Sequence, residues 1–430
     1  FDEGHHLPDK AINHFQFSLK VNATKHWLEQ AVNTLNNFSD LTKPSGQIPH
    51  IVKQFPQLAK DTSLQLEQLN TLLEQIDFPS ERRFHNSPHQ PRDKVYRFKF
   101  GIVPDELQHH SQLLMQLFFK IFQQLDAISI TLKDSIDGEV TGIKSEDAEQ
   151  WLPVIAPLQN RAEVAAALLE VFSSTDKENK PPRARWLKKS PNPEENDIEM
   201  ACSPILAAES LQHILWSQCY GAVVTSATIT ALGKFERYIL DSGVSGEFDI
   251  LPSPFDFQQN VEFIVPQMYS EATQYQAHTD EIIQLFPNII DPEQGTLVLF
   301  SSRRQMNDVE YELFRLDEKW KQLILTQGQS NKQTIIKEHK NKIDRGQGSI
   351  IFGLSSFAEG IDLPGNYCKH VIIAKLPFSV PDDPVDASLT EWLESQGRNA
   401  FMEISVPDAS IRLIQACGRL IRKETDTGRI

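Results

Sequence analysis

Cysteine is scarce in this sequence, and long apolar runs are missing from it. The 430 residues include only Cys202, Cys219, Cys368 and Cys417, and no two of these form a C-x-x-C pair. This spacing argues against a zinc site or a compact cluster, and scattered thiols indicate a reducing compartment, so we expect a cytoplasmic protein. No stretch approaches the ~18 consecutive apolar residues of a membrane span, so we expect no membrane partner.

The first residue and the charge balance further limit the classes of protein to which this chain can belong. Phe1 is neither an initiator methionine nor the start of a signal peptide, so we expect the natural N-terminus to lie upstream. The formal net charge of −16 argues against a histone-like coat of positive charge, but it permits a locally basic groove for nucleic acid. A chain of 430 residues predicts about two to four domains.

The pattern of apolar residues changes along the chain. In residues 11–200 they recur at helical spacing, as in the run from Leu107 to Ile128, which predicts a mostly helical region. From residue 205 onward, short apolar runs alternate with helical patterns at 303–316 and 330–345. This alternation predicts a doubly wound α/β domain, with buried parallel strands at 296–301, 322–326, 349–353 and 370–375.

The segments near residues 173–224, and the first ten residues, carry weaker signals of secondary structure. The polar stretch 173–197 is either a disordered linker or part of a hairpin of strands 183–188 and 198–203, and we favour the hairpin because apolar or aromatic residues alternate in both flanks. A helix is predicted at 207–218, leading into an apolar strand at 222–224. Residues 1–10 are interpreted as the end of a strand followed by a loop.

An acidic segment, Asp2–His5, stands at the start of the chain. Phosphate-loop motors need an acid that holds hydrated Mg²⁺, usually at a strand end, and a neighbour that orients or deprotonates the attacking water. An adjacent pair supplies both, with Asp2 toward the metal and Glu3 toward the water. Such a pair more often lies on a surface without function, so the segment predicts catalysis only together with other motifs.

Two motifs follow predicted strands. Thr225–Thr228 places small hydroxyl residues at a strand end, where they can bridge two hydrogen-bond networks; the alternative is a helix N-cap. Residues 353–362 run from a strand into a glycine-bearing turn. Glycines let the backbone approach a phosphate or another loop closely, and the alternative is a plain turn.

The last motif is Gln415–Arg422. Gln415, Arg419 and Arg422 stand at positions i, i+4 and i+7, so a helix would place them on one face. Two arginines beside an apolar Leu-Ile pair are poorly explained as a solvated face. Arginine supplied across a cleft neutralises charge that develops on a γ-phosphate, and we interpret the pair in this way.

In this order the motifs resemble those of superfamily 2 helicases of the XPD/DinG group, and their details favour the bacterial DinG family. The resemblance covers the whole chain, weakly in residues 15–200 and strongly after 201. It rests on the boxes at 2–9, 224–229, 356–362 and 415–422 and on the segments at 253–255 and 299–304.

The resemblance implies two RecA-like parallel-sheet motor lobes, the first incomplete in this chain, with a mostly helical arch insertion. Residues 1–14 and 201–260 would belong to the first motor domain, 15–200 to the arch, and 261–430 to the second motor domain. ATP would lie between the lobes. Asp2, which holds the metal through water, and Glu3 would act from one side, and Arg419 and Arg422 from the other.

The resemblance also implies roles for the remaining motif residues. Nucleotide binding and its coupling to DNA would involve Gln415, Glu359, Gly360 and Asp362. Coupling of hydrolysis to movement would involve His5, Thr225, Ser226 and Thr228. Arg303 and Arg304, which follow a predicted strand, are candidates for DNA contact; the alternative is solvated charges that start a helix.

As a function, the resemblance implies an ATP-dependent DNA helicase that hydrolyses ATP with Mg²⁺ and moves 5′ to 3′ on single-stranded DNA. Such enzymes open forks, displacement loops and RNA–DNA hybrids in DNA repair or replication. Binding to backbone phosphates would be salt-sensitive. We expect a monomer.

Two features of the family do not occur in this sequence. It contains no G-x-x-x-x-G-K-[ST] loop, whose lysine reaches the β and γ oxygens. The four cysteines match none of the 4Fe–4S ligands, which we expect only in the full-length protein. We therefore expect this polypeptide alone neither to hydrolyse ATP nor to bind a cluster.

Two alternatives to this function remain. One is a DNA- or partner-binding scaffold with an inactive motor, against which Glu3, Arg419 and Arg422 together argue. The other is the helicase module of a helicase–exonuclease fusion.

Overall fold

The chain divides into two compact units. The computed structural model describes residues 1–44, 46–79, 94–138, 142–177, 179–190, 197–358, 360–379 and 383–430. The helical unit comprises Leu7–Ile214 and Pro381–Arg398. The sheet unit comprises Phe1–His6, Leu215–Val380 and Asn399–Ile430. Each unit is thus assembled from segments that are distant in the sequence.

The described part of the chain contains helices of very different length and short strands. The helices are α1 (Leu7–His14), α2 (Val21–Thr42), α3 (Ile48–Glu74), α4 (Asp105–Ile136), α5 (Ser145–Ser173), α6 (Ala208–Leu211), α7 (Glu236–Ser242), α8 (Phe257–Asn260), α9 (Tyr275–Ile289), α10 (Arg303–Leu316), α11 (Lys319–Leu323), α12 (Lys332–Asp344), α13 (Ser355–Ala358), α14 (Pro384–Ser395) and α15 (Val406–Cys417). The strands are β1 (Phe17–Lys20), β2 (Lys94–Arg97), β3 (Arg183–Lys189), β4 (Ile198–Pro204), β5 (Val261–Glu262), β6 (Gly295–Leu299), β7 (Ile324–Thr326), β8 (Ser349–Gly353), β9 (His370–Ile373) and β10 (Gly428–Arg429).

Long helices build the core of the helical unit. In α4, Phe118, Ile121, Leu125 and Ile128 recur every three or four residues and are fully buried. α4 packs against α3 and α5, and α3 packs against α2. The helical region predicted for residues 11–200 is confirmed by these elements.

α4 is also long and apolar enough, by length and composition, to cross a membrane. Its buried apolar side chains belong to the same hydrophobic cluster as those of α3 and α5. A core helix of a folded domain passes the same test, so one such helix is weak evidence for a membrane span.

The helical unit also contains a four-stranded antiparallel sheet, in the order β1-β4-β3-β2. β3 and β4 pair along their length, from Arg183 opposite Pro204 to Lys189 opposite Ile198. The predicted hairpin is therefore confirmed, and its strands are not part of a disordered linker. Residues 191–196 of its predicted turn lie outside the described residues.

α14 is joined to this sheet although it is distant in sequence. Arg97 Nη1 in β2 donates to Glu391 Oε2 of α14 at 2.7 Å, and the Phe100 amide donates to the same oxygen at 2.6 Å. Only 21% of the Arg97 side chain and 16% of the Glu391 side chain are exposed. This half-buried pair explains why Pro381–Arg398 belongs to the helical unit.

The sheet unit is built on six parallel strands, in the order β5-β10-β9-β6-β8-β7. Every residue of β6, β7 and β8 is buried, as expected for strands that are covered on both faces. The α/β class and the four predicted parallel strands are confirmed.

Successive strand residues face opposite helical layers. Val298, Ile350 and Phe352 pack in one hydrophobic cluster with α9 and α10. Leu297 and Ile351 pack in another with α12 and the segment that follows α15. The sheet is therefore doubly wound, and its strands end at one common edge, where α/β proteins usually bind ligands.

Three predicted segments differ from the structure. Residues 1–10 are predicted as the end of a strand followed by a loop, but residues 4–10 form a 3₁₀ turn and the start of α1. The predicted helix 207–218 is confirmed in part, because α6 continues into a π-helix, Gln212–Trp216, and the helical stretch ends at Trp216. Residues 222–224 join neither sheet, and Val223 is 76% exposed. Apolarity alone predicted burial, but among the described residues no second layer covers this segment.

The predicted domains follow the motifs of the family, whereas the two units described above are defined by spatial clustering. The predicted domains are residues 1–14 with 201–260, 15–200 and 261–430. The boundaries stay predictions.

Candidate functional site

The acidic segment is hydrogen-bonded to residues 223–225. The Phe1 amino group donates to Val223 O at 2.7 Å, the Thr225 amide donates to Phe1 O at 2.8 Å, and the Gly4 amide donates to Thr225 O at 2.8 Å. A Cβ on Gly4 would lie 2.1 Å from Val224 Cγ1. A side chain at position 4 would therefore force Val224 to change its rotamer or the two segments to move apart.

The two carboxylates of the segment are exposed and differently held. Asp2 Oδ1 accepts hydrogen bonds from the Glu3 amide at 2.9 Å and from Thr225 Oγ1 at 3.2 Å. Glu3 has a φ of 49°, in the left-handed region that L-residues seldom adopt. Its side chain is 64% exposed. One carboxylate is therefore oriented by neighbours, and the other is presented to solvent.

These carboxylates fit a hydrated magnesium ion. Mg²⁺ keeps several waters and binds proteins through one or two carboxylates together with substrate phosphates. Asp2 and Glu3 supply such a donor set. Among the described residues there is no group of three or more side chains that could enclose a metal by themselves, so a magnesium ion here would depend on water and phosphate.

His5 connects the acidic segment to the other motifs. Its Nδ1 lies 2.7 Å from Ser226 Oγ and 3.3 Å from Glu3 Oε2, and its Nε2 lies 3.3 Å from Gln415 Nε2. The Gln415 amide also donates to Thr228 Oγ1 at 3.3 Å. An amide nitrogen can only donate, so Gln415 donates to His5 Nε2 in the tautomer that carries the ring proton on Nδ1.

The arginine motif is assembled differently from the prediction. α15 ends at Cys417, so Arg419 and Arg422 lie beyond the helix and not on one helical face. Both guanidinium groups nevertheless donate to Ile361 O, at 3.1 Å from Arg419 Nη1 and at 3.0 Å from Arg422 Nη2. Arg419 Nε also donates to Gln415 O at 3.2 Å. A turn, rather than helical periodicity, brings the pair together.

Arg422 retains one buried donor. Its Nε has no hydrogen-bond partner among the described residues and lies 3.7 Å from Asp362 Oδ1, at ion-pair distance but beyond hydrogen-bond reach. A buried polar group without a partner is costly, and it is commonly explained by a role with a ligand. The contacts run without interruption from Glu3 through His5, Gln415 and Arg419 to the carbonyl that Arg422 binds.

The turn after β8 is held by two side chains that the sequence analysis did not single out. The Leu354 amide donates to Gln327 Oε1, and Gln327 Nε2 donates to Ser356 Oγ, at 2.8 and 2.9 Å. Lys332 Nζ donates to Ser356 O. Gly360 has a φ of 66°. Gln327 and Lys332 belong to a distant loop and helix, and no local pattern marks them. Glu359, predicted to act in this turn, lies outside the described residues.

The two candidates for DNA contact start α10. Ser302 caps the helix by accepting from the Gln305 amide. The Arg304 guanidinium carbon lies 4.3 Å from the ring centre of Tyr275, and its Nε lies 3.6 Å from Asp308 Oδ2. Arg303 is exposed. Both arginines do start a helix, and their contact with DNA stays a prediction.

The cysteines do not fit an iron–sulfur cluster. Cys202 and Cys368 are buried in separate units, and burial raises the pKa of these thiols to about 11 and about 12. Burial also raises the pKa of Cys417. An iron–sulfur cluster is held by several cysteine thiolates that lie close together. The described residues contain no such group.

Sequence comparisons with known proteins match helicases. A model of the helicase C-terminal domain matches residues 286–430. Over its full length the chain is 34% identical to the ATP-dependent DNA helicase DinG of Photobacterium profundum, covering 60% of that protein. It is 27% identical to the protein of the same name from Escherichia coli (strain K12), covering 59% of it.

A solved structure shares the fold. The structure of S. tokodaii Xpd4 matches 100% of this chain and 69% of that chain, with a TM-score of 0.53 and 13% sequence identity. An identity this low shows a common fold and no more. The chain spans about three fifths of the length of the curated relatives it matches.

Proposed function

We propose, from the premise that this chain belongs to the XPD/DinG type of superfamily 2 helicases, that the protein is an ATP-dependent DNA helicase. It moves 5′ to 3′ on single-stranded DNA and opens forks, displacement loops and RNA–DNA hybrids in DNA repair or replication. It acts as a monomer in the cytoplasm. ATP and Mg²⁺ are its substrate and cofactor.

The acidic pair supplies the hydrolytic chemistry. Thr225 and the Glu3 amide fix one oxygen of Asp2, which orients this carboxylate toward a metal-bound water. Magnesium, when bound, would neutralise charge on the phosphate oxygens. Glu3 extends into solvent, where it can orient a water molecule and accept its proton.

The arginine pair supplies positive charge. Arg419 and Arg422 are anchored on one carbonyl, which limits their freedom before a nucleotide arrives. Arg422 Nε makes no hydrogen bond among the described residues and lies 3.7 Å from Asp362 Oδ1, so it keeps a donor that would bind a phosphate oxygen once the turn admits the nucleotide. Arginine in such a position stabilises charge that develops in the transition state.

The His5–Gln415 contact couples the two halves of the site. His5 touches the acidic segment and the Thr225–Thr228 motif, while Gln415 leads through its carbonyl to Arg419. A change at the nucleotide would alter these contacts and shift α15 relative to the acidic segment. Arg303 and Arg304 would hold backbone phosphates of the DNA strand, which makes binding salt-dependent.

One observation carries the proposal, namely the unbroken chain of contacts from Glu3 through His5, Gln415 and Arg419 to Ile361 and Arg422. It joins three sequence motifs that are separated along the chain, and His5 also contacts the fourth motif through Ser226. A scaffold with an inactive motor has no need for this assembly.

The direct test is Glu3→Gln in the full-length protein. We expect DNA-stimulated ATP hydrolysis and unwinding of a 5′-tailed duplex to fall at least about a hundredfold, while ATP still binds, because the variant removes the proton acceptor and keeps the shape of the side chain. Glu318→Gln, at a 90% exposed glutamate, is the matched control. Equal turnover in wild-type and Glu3→Gln proteins would contradict the proposed role, and a preference for 3′-tailed duplexes would contradict the proposed direction.

The 430-residue chain by itself contains no phosphate-loop lysine. We therefore propose that it does not turn over ATP alone, and brisk Mg²⁺-dependent hydrolysis by the isolated polypeptide would refute this part.

A further inference from the structure

The short helix α7 is tied to both halves of the candidate site by adjacent residues. Arg237 and Tyr238 are adjacent residues of α7, and the side chains of both are largely buried. Neither belongs to a motif found in the sequence. Their partners are the helix that carries Gln415 and the turn that carries Glu3.

Arg237 binds α15. Its Nε donates to Asp408 Oδ1 at 2.8 Å and its Nη2 donates to Asp408 Oδ2 at 3.3 Å, a bidentate pair. Nη1 donates to Asp241 within α7. Only 13% of the Arg237 side chain is exposed. Burial alone lowers the pKa of Arg237, but the two carboxylates more than offset this and raise it, so the group is held firmly charged.

Asp408 lies in the first turn of α15, seven residues before Gln415. Residues seven apart lie on the same face of a helix, two turns or about 10 Å from each other. Fixing Asp408 therefore fixes the position and rotation of the helix that presents Gln415 to His5 and Thr228.

Tyr238 binds the acidic segment. Its hydroxyl donates to Gly4 O at 3.0 Å, and the residue is 6% exposed. Gly4 lies between Glu3 and His5. The other end of α7 is anchored as well, since Trp216 Nε1 donates to Ser242 O at 2.7 Å and the Trp216 ring packs edge-on against Phe1.

We propose that α7 is a bracket that sets the spacing between the acidic segment and α15, with Arg237 and Tyr238 as positioning residues for ATP hydrolysis. The proposal rests on the proposed function. Neither residue touches the acidic pair or the two site arginines directly. Each holds a segment whose side chains meet at the His5–Gln415 contact, and a displacement of about 1 Å at such a contact costs about a hundredfold in rate.

The test uses Arg237→Gln, Arg237→Lys and Tyr238→Phe in the full-length protein. For Arg237→Gln we expect kcat for DNA-stimulated ATP hydrolysis to fall about a hundredfold, with KM for ATP nearly unchanged. Arg237→Lys keeps the charge but loses the fork, so it should recover part of the rate. Tyr238→Phe should lower kcat about fivefold, the ratio expected for one neutral hydrogen bond.

The control is Arg315→Gln, which removes an arginine paired with Glu312 on the surface, where it is 64% exposed. Amide hydrogen exchange is measured in parallel and needs no activity. We expect faster exchange in residues 1–6 with Tyr238→Phe, in residues 406–417 with Arg237→Gln, and in neither with Arg315→Gln.

Wild-type kcat in a folded Arg237→Gln protein, or exchange that quickens in α7 alone, overturns the bracket. If Arg237→Gln does not fold, Tyr238→Phe decides, and unchanged exchange at residues 1–6 counts against the proposal. A wild-type protein without ATP turnover would refute the proposed function, while the exchange measurement would still decide whether α7 holds the two segments.

Discussion

Arg185 in the helical unit is buried and Arg422 in the sheet unit is half-buried, and their donors are used differently. Arg185 is 1% exposed, and its three nitrogens donate to Asp176 and to backbone carbonyls, those of Val171, Gly101, Ser174 and Arg183. Arg422 donates one bond from its guanidinium group, to Ile361 O, and keeps its Nε buried without a hydrogen-bond partner among the described residues.

The difference separates structure from function. A fully satisfied buried arginine fixes the geometry of its surroundings, and it has no donor left for a ligand. A partly satisfied one carries an energetic cost in the absence of a ligand that binding can relieve. The same residue type thus stabilises one unit and, under the proposed function, takes part in the chemistry of the other, and the variants below separate the two roles.

The largest effect is expected for Arg422→Ala in the full-length protein. Loss of an arginine that stabilises transition-state charge lowers kcat for ATP hydrolysis about a thousandfold or more. Unfolding free energy should change by less than about 1 kcal/mol, because the side chain supplies only one hydrogen bond to the fold. Steady-state hydrolysis and urea unfolding measure the two quantities.

Arg315→Ala, at the exposed surface pair, is the control for the loss of a positive charge and should change neither quantity appreciably. The comparison fails if Arg422→Ala unfolds the protein while sparing the activity of the folded fraction.

A smaller effect, opposite in kind, is expected for Arg185→Ala. The variant leaves Asp176 and several carbonyls without their donor, which costs about 3–5 kcal/mol of stability for a buried ion pair broken on one side. The ATPase rate per folded molecule should stay near the wild-type value. Urea unfolding followed by circular dichroism measures the loss, and Arg185→Lys should fall between alanine and wild type, since it keeps the charge without the fork. A loss below about 1 kcal/mol would remove the distinction between the two arginines.

The smallest expected effect is the change in unfolding free energy with pH. In the sheet unit, His339 lies between Ser349 Oγ at 2.9 Å and Tyr367 O at 2.7 Å, and burial lowers its pKa to about 4. The unfolded chain binds this proton first, near pH 6.5, so stability present above that value is lost as pH falls toward about 4.

Between pH 7 and pH 5 the loss from His339 should be up to about 2 kcal/mol. Burial also lowers the pKa of His370 to about 4, so its contribution has the same sign. Urea unfolding at the two pH values measures the sum, and His339→Gln should flatten the dependence. An unchanged slope in this variant would mean that the imidazole is solvated in the folded state.

The sequence predicted the sheet well and the site only in part. β6 and β8 are apolar runs whose burial follows from their composition, and α10 starts at a serine cap followed by amphipathic spacing. These are local signals. The predicted strand at 222–224 has the same composition, yet it stays exposed, because burial depends on what covers a segment and not on the segment itself.

The meeting of the motifs was not predictable from local sequence. Spacing put Arg419 and Arg422 on a helix, whereas the chain leaves the helix at Cys417 and converges on Ile361 O by a turn. Arg237, Tyr238, Gln327 and Lys332 act through partners that are distant along the chain, so no window of sequence contains both members of a pair.

The backbone of Glu3 carries a consequence for the whole protein. A non-glycine residue held at a φ of 49° gives up roughly 1–2 kcal/mol that a glycine or asparagine at this position would largely recover. The protein is therefore less stable than its fold permits at a position where the proposed hydrolysis needs a carboxylate. A search for stabilising substitutions would select glycine or asparagine at this position, and either residue would remove the carboxylate that the proposed hydrolysis needs.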